Sequence, residues 1–360
     1  MDQYHALLKE ILGRGDVQYE PRTQEYIIGI SGSQSVYDLR KGFPLITTKN
    51  VPPRLPFEEL FWKLRGERSV KSLVDRNVNI WTANAFDRYL KRRGLYKGVP
   101  KHSAIWNEKF KIYSEYLKDL EDPNSDKGDL GPVYGYNWRY DQDSDGNRID
   151  QLVNLINGIK KSPGSRYHIL SSWNVSRLKD GAIGPCPFWH QFTVWGENID
   201  LHMIQRSNDS FLGVPFNIAE DSALTHLVAK ETGYKPRFFI HTPINAHIYL
   251  GVKPRSEFWM DSKNVKEFQR KFNKIKGKKG YLKLKKWYLR FAPEESKGNE
   301  KKDHVPFILE QLSKEPRDLP TLEFKQDIPF FEAIERPPLD VFEVKGYNPH
   351  NWASKAEMAA

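Results

Sequence analysis

The chain has 360 residues, 39% hydrophobic and 13% aromatic, enough to bury a large core in one or two domains. Its charged fraction of 28% is ordinary for a globular protein, and its single cysteine, Cys186, excludes an internal disulfide framework and any multi-cysteine metal site. The net charge of +10 is concentrated: between Lys263 and Arg290 twelve Lys or Arg meet one acid, Glu267, so this segment carries +11 and the remainder is near neutral. That segment reads first as a solvated helical insertion and second as a binding surface for nucleic acid or another polyanion.

The N-terminal MDQYHALLKEILGRGD predicts an amphipathic helix and not a signal peptide, because acids and bases interrupt it. No apolar run is long enough to span a membrane, so a soluble, cytoplasmic protein without membrane partners is expected. Residues Tyr26 to Leu39, apolar on either side of Ser31–Gly32–Ser33, predict a hairpin. In PFEELFWKLRGERSVKSLV, Phe57, Leu60, Phe61 and Leu64 share one helical face. Residues 88–128 are polar and Lys-rich and read as a partly helical surface insertion.

Arg166 to Phe192 and Asn198 to Gln205 predict strands. A long helix is expected from near Pro215 through NIAEDSALTHLVAKETG, closed by Gly233. Strands recur in RFFIHTPINAHIYL, LPTLEF and DVFEVKGY, with the basic insertion occupying 252–305. With no internal repeat and no domain-separating linker, the pattern predicts a single α+β domain over residues 1–360.

Two segments combine residues that packing alone does not select. GPCPFWHQF sets Cys186 between two prolines at the entrance to an apolar strand, which fixes the backbone around the thiol. QRSNDSFLGVPFN gathers Arg206, Ser207, Asp209 and Asn217 within twelve residues. A guanidinium beside a thiol favours the nucleophilic thiolate. By spacing alone, Arg206 is equally a structural ion-pair partner, and a lone cysteine is more often a buried, inert one.

RKGFPLITTK, NVNIW, GDLGPVYG, SRYHILSSWN, GPCPFWHQF, QRSNDSFLGVPFNIA and the terminal KGYNPHNWASKAEMAA resemble, in order, the successive motifs of the thymidylate synthase family. The resemblance runs from about Arg40 to Ala360, apart from the two insertions. It implies a mixed twisted sheet packed with helices and a homodimer joined through that sheet. It also implies transfer of a one-carbon unit from 5,10-methylenetetrahydrofolate to C5 of a pyrimidine deoxynucleotide, with no metal.

On the same grounds Cys186 adds to C6 of the base, Glu59 organises water and protons around O4, and Tyr134 lies near the C5 proton. Arg206, Arg22 and Ser207 bind the phosphate, and Arg166 reaches into the neighbouring subunit's site. Gln205 belongs to the nucleotide set, and Asn217 reads the base. His247 and Tyr249 hold the sugar 3′-hydroxyl. Asp209 and Trp81 contact the folate, together with Lys49, Gly213, Phe216 and Ala360. Without the family, Asn217 reads as a helix N-cap, His247 and Tyr249 as neighbours on one strand face, Trp81 as core and Glu59 as a surface helix residue.

An amide at Asn217 matches N3–H and O4 of uracil, whereas related cytidylate hydroxymethylases carry a carboxylate there. Departures from the synthase pattern cluster at this site. Tyr167 replaces an arginine and Pro187 a histidine, a tryptophan after IW is absent, Glu220–Asp221 replace small or aromatic residues, and the chain ends in Ala359–Ala360. The acidic pair is expected to bring charge and water to the base and favour water over hydride as the final reactant. The leading expectation is therefore a deoxyuridylate hydroxymethylase serving phage DNA modification, in host cytoplasm, followed by a thymidylate synthase and then a deoxycytidylate hydroxymethylase. A different class is an inactive member binding nucleic acid through 263–290.

Overall fold

The computed structural model describes residues 1–101, 103–122 and 125–351. Helix α1 (Asp2–Arg14) buries Tyr4, Leu7, Leu8, Ile11 and Leu12 on one face, as its periodicity requires. Strands β1 (Asp16–Glu20), β2 (Glu25–Ser31) and β3 (Ser35–Asp38) follow. The expected hairpin over 26–39 does not form. β2 pairs with β1, while β3 joins a different sheet. The chain crosses between sheets at Gly32–Ser33, whose amides donate to the carbonyls of Ile244 and Pro243, so the corner closes against another corner.

Helix α2 (Arg54–Arg65) is buried almost all round, including Glu58, Glu59 and Lys63. Then come α3 (Lys71–Asp75), α4 (Thr82–Arg92) and α5 (Ala104–Lys118). Residues 88–128 are not merely a surface feature. Trp106, Tyr113 and Leu117 of α5 pack with Phe86 into a second core that also holds Trp62 and Tyr134. After α6 (Gly135–Arg139), the short pair β4 (Asp141–Gln142) and β5 (Arg148–Ile149), and α7 (Gln151–Lys161), the central strands begin.

These are β6 (Ile169–Ser171), β7 (Pro187–Trp195), β8 (Asn198–Gln205), β9 (Asn208–Asp209), β10 (Lys235–Pro243) and β11 (Asn245–Tyr249). One mixed sheet has the order β3-β10-β8-β7-β6, the other β1-β2-β11-β9. The long helix α8 (Gly213–Thr232) lies between β9 and β10 and stops at Gly233, whose φ of 80° suits glycine. Helix α8 packs against β10 and β8 of the larger sheet and α2 packs on α8, so the fold is a single α+β domain.

The basic segment forms α9 (Glu257–Met260), α10 (Ser262–Asn273) and α11 (Lys279–Phe291). Phe268, Phe272, Leu284 and Tyr288 dock it on the main core. Gln269 and Asn273 donate to the carbonyls of Gly15 and Gly13 at the end of α1. Lys263, Lys266 and Arg270 on α10, Lys274 just past its end, and Lys279, Lys283, Lys286 and Arg290 on α11 face solvent. The chain then forms α12 (Val305–Leu312) and the antiparallel pair β12 (Thr321–Phe324) and β13 (Phe342–Lys345). No helix among the described residues is long and apolar enough to cross a membrane.

Candidate active site

Antiparallel pairing of β7 with β8 sets Pro187 opposite Gln205 and so brings the residues beyond them, Cys186 and Arg206, side by side. The Arg206 amide donates to the Cys186 carbonyl at 2.9 Å. Its Nε donates to the Pro185 carbonyl at 3.0 Å, and Nη2 lies 3.8 Å from the Cys186 sulfur. Arg206 makes no ion pair among the described residues, so its charge is directed at the thiol and the space beside it. The sequence reading of Arg206 as an ion-pair partner is not what the fold uses. Pro187, at the first position of β7, removes no ladder donor that an interior position would need.

Tyr134 accepts a hydrogen bond from the Cys186 amide at 3.3 Å. It stands at φ 42°, a strained backbone for a non-glycine residue and of the kind concentrated at functional sites. Burial, and then the neighbouring Cys186, push its hydroxyl well above the usual tyrosine range, so it stays a neutral phenol. Its ring lies 5.3 Å from that of Trp81, whose indole Nε1 donates to Glu59 at 3.0 Å. Trp81 is half-buried at the start of α4 and Glu59 is buried, which reverses the surface reading of Glu59.

Asn217 lies in the second turn of α8. The helix starts four residues earlier, so Asn217 is not its N-cap. Gln205 donates through Nε2 to Asn217 Oδ1 at 3.0 Å and accepts from Asn208 Nδ2 at 3.0 Å, which fixes both amides. His241 closes this network 2.9 Å from Gln205 Oε1. Asp209 Oδ1 accepts from the amides of Phe211 and Leu212 at 3.0 Å each, tying down the loop before Gly213 and the half-buried Phe216. Buried Lys49 donates to the Phe211 carbonyl, and burial draws its ammonium down to about 7. Lys49 therefore holds this loop from inside.

Parallel pairing of β9 and β11 sets His247 opposite Asp209. Buried His247 accepts no extra charge readily, because burial lowers its affinity for a proton, and its ring stands edge-on to Tyr249 at 5.2 Å. Arg22 is exposed in the turn between β1 and β2, where Glu20 receives the amides of Arg22 and Thr23. Ser207 is half-buried beside Arg206. Arg166 is exposed before β6, and Tyr167 beside it is 89% exposed. Ala360 lies outside the described residues.

Sequence reasoning missed three partners. Lys63 Nζ lies 2.8 Å from both Glu59 Oε1 and Glu220 Oε2, with all three side chains buried. His190 pairs with Asp221 at 3.0 Å, also buried. His304, near the end of the basic insertion, sets its ring at a tilt 5.2 Å from that of Phe211 and lies 3.9 Å from Asp209 Oδ1. The charge expected from Glu220 and Asp221 is therefore met by protein groups. The four-residue spacing of Glu59 and Lys63 was legible as a helical pair. The contacts from α8 and β7 were not.

A thiol, a guanidinium, a neutral phenol and a locked amide pair converge where the two strands end, an arrangement suited to nucleophilic addition to a polar, phosphate-bearing substrate. The family model described as thymidylate synthase matches residues 2–360. A thymidylate synthase of Mesoplasma florum is 43% identical over 251 residues, covering 69% of this chain and 82% of its own. That of Staphylococcus haemolyticus is 42% identical over 68% of this chain and 80% of its own, and that of Malacoplasma penetrans 34% identical over 97% of each. The chain belongs to the thymidylate synthase family. It is a one-carbon transferase, and the family uses methylenetetrahydrofolate as co-substrate.

Proposed function

We propose that the chain methylates dUMP to dTMP. The observation that carries this reading is that Glu220 and Asp221 are buried in pairs with Lys63 and His190, and so do not hold open charge or solvent at the base. Relatives 34–43% identical that are named thymidylate synthases support the same outcome. Cys186 adds to C6, and the C5–C6 double-bond electrons move toward O4, leaving C5 nucleophilic. Asn217, held by Gln205, offers an acceptor to N3–H and a donor to O4, which matches uracil.

Arg206, Arg22 and Ser207 hold the phosphate, for which guanidinium forks are well shaped. His247 and Tyr249 take the sugar hydroxyl. The carboxylate of Asp209 and the aromatic faces of Trp81 and Phe216 suit the N–H groups and planar ring of a pterin. Methylenetetrahydrofolate supplies the one-carbon unit when bound. Tyr134, kept neutral and beside the Cys186 amide, can donate its hydroxyl hydrogen to a water whose lone pair takes the C5 proton and passes it to solvent.

A second reading, hydroxymethylation, is favoured by Pro187, which places no polar side chain beside the nucleophile. The test is the mass of the nucleotide formed from dUMP and methylenetetrahydrofolate, with dCMP in parallel. A methylated product with one equivalent of dihydrofolate is expected. A hydroxymethylated product without dihydrofolate would replace the first reading by the second, and turnover of dCMP alone would overturn the assignment of Asn217.

We further propose a homodimer joined through the outer face of the larger sheet. Val36, Ile240, His202 and Gln191 form a row across four strands of that face and are not buried, and Trp195 is 61% exposed. Such an apolar-rich face on an otherwise buried sheet needs a cover. Mixing Arg166→Ala and Cys186→Ala proteins, each inactive alone, is then expected to restore activity at about a quarter of wild-type sites on random pairing. No restoration would overturn the sharing of Arg166 between subunits. The division of the chain into a catalytic body with insertions at about 88–128 and 252–305 is likewise our proposal.

A further inference from the structure

Glu59, Lys63 and Glu220 form a sealed group where α2 and α8 cross. Lys63 bridges the two carboxyl groups at 2.8 Å each, and its ammonium stands 5.1 Å from the centre of the Tyr134 ring. The side chains are between 3 and 7% exposed. Two ionised carboxylates with one ammonium would leave a net negative charge in a dry interior, which is costly. The group reaches neutrality when one carboxyl keeps a proton, and Glu220 Oε1, buried with no hydrogen-bond partner among the described residues, has room to carry it.

The asymmetry of the surroundings decides which one keeps it. Burial raises Glu220, and the charge of Glu59 raises it further. Burial would also raise Glu59, but the Lys63 ammonium and hydrogen bonds from Lys63 and Trp81 outweigh it and hold Glu59 below the usual carboxylate range. For Lys63 the two carboxyl groups overcome burial and keep the ammonium charged.

We propose that Lys63 and Glu220 are positioning residues for the one-carbon transfer, holding the Glu59 carboxylate against Trp81 and beside Tyr134 and neutralising it there. This rests on the reading of Glu59 as the group that serves the nucleotide. Lys63 supplies the cation, and Glu220 holds that ammonium in place from the opposite helix. Lys63, 2.8 Å from both carboxyl groups, can hand a proton to Glu59 and take one from Glu220 when charge builds up at O4 of the Cys186 adduct, and the reverse transfer follows when the thiolate leaves. No proton is gained or lost over the cycle. The other ionisable groups that face this cluster are Tyr134 and, through it, Cys186 and Arg206.

The test is the pH dependence of kcat/KM, together with dUMP affinity without folate over the same range, in the full-length protein. Lys63→Met is expected to shift the acidic limb upward by about one unit or more, because Glu59 loses its cation, and to lower kcat roughly ten- to a hundredfold. Lys63→Arg restores the limb. Glu220→Gln is expected to leave the acidic limb in place, because an amide stands in for the protonated carboxyl, while kcat falls for want of the transferable proton. A merely structural pair would change thermal stability and leave the limbs of the profile where they are, and that result overturns the proposal. If Lys63→Met does not fold, Lys63→Gln/Glu220→Gln faces Glu59 with two neutral amides, and a wild-type profile in that variant also overturns it. Absence of any dUMP turnover by wild type removes the reading beneath the proposal, and the proposal with it.

Discussion

Replacing Cys186 with alanine is expected to abolish nucleotide turnover, by about ten-thousandfold or more, while leaving the fold and dUMP binding in place. The sulfur carries little of the structure. Cys186 is only half-buried, and its contact with Arg206 at 3.8 Å is a weak one. Arg206 keeps its position without it, through the carbonyls of Gly184 and Pro185 and its own backbone bond to residue 186. The phosphate and base contacts are thus preserved when the thiol is removed, and the loss falls on kcat. With one cysteine in 360 residues, alkylation can be counted by mass as a single event. One modification per chain, blocked by bound dUMP and absent in Cys186→Ala, is the expected result. Residual turnover above about one per cent in the alanine variant would place the nucleophile elsewhere.

How much of this was legible in the sequence differs from residue to residue. Helix α8 could be read directly, because Gly233 supplies the left-handed stop and the motif before it marks the start. Proximity of Cys186 and Arg206 followed from two predicted strands in succession, since antiparallel neighbours bring the start of one beside the end of the other. The hairpin over 26–39 was misread for a physical reason. A Ser–Gly–Ser turn between apolar runs looks the same whether the second run returns to its neighbour or passes to another sheet. Only the bonds from Gly32 and Ser33 to residues 243 and 244 distinguish the two.

Glu220 and Asp221 show the same limit in chemical form. Read along the chain they are two adjacent charges near the base. In the fold they diverge, Glu220 toward Lys63 on α2 and Asp221 toward His190 on β7. Neighbours in sequence on a helix point about 100° apart, so each met a different element. Residues 88–128 were read as surface because their Lys content is high, yet Trp106, Tyr113 and Leu117 recur on the inner side of α5 and fill a core shared with Tyr134.

Gly135→Ala is expected to destabilise the protein by about 3 kcal/mol or more and to remove most of its activity in the same step. A Cβ at Gly135 would lie 1.6 Å from the Lys63 carbonyl oxygen and 2.6 Å from Lys63 Cα. Both are backbone atoms of α2, so no side-chain rotation relieves the overlap. Either α6 moves off α2 or α2 bends. Both motions act on the site, because Tyr134 immediately precedes the glycine and Lys63 carries the ion group beside Glu59. The bond from Arg139 to the Leu64 carbonyl at 2.7 Å ties the other end of α6 to α2 and prevents a free hinge. A displacement near 1 Å at catalytic groups costs roughly a hundredfold in rate. Thermal unfolding and kcat measured on the same preparation check this, with Gly164→Ala as the control, since a Cβ there meets nothing within 4 Å. A lowered melting temperature with unchanged kcat would show that α6 yields without moving Tyr134, and separate the stability of this contact from its role in catalysis.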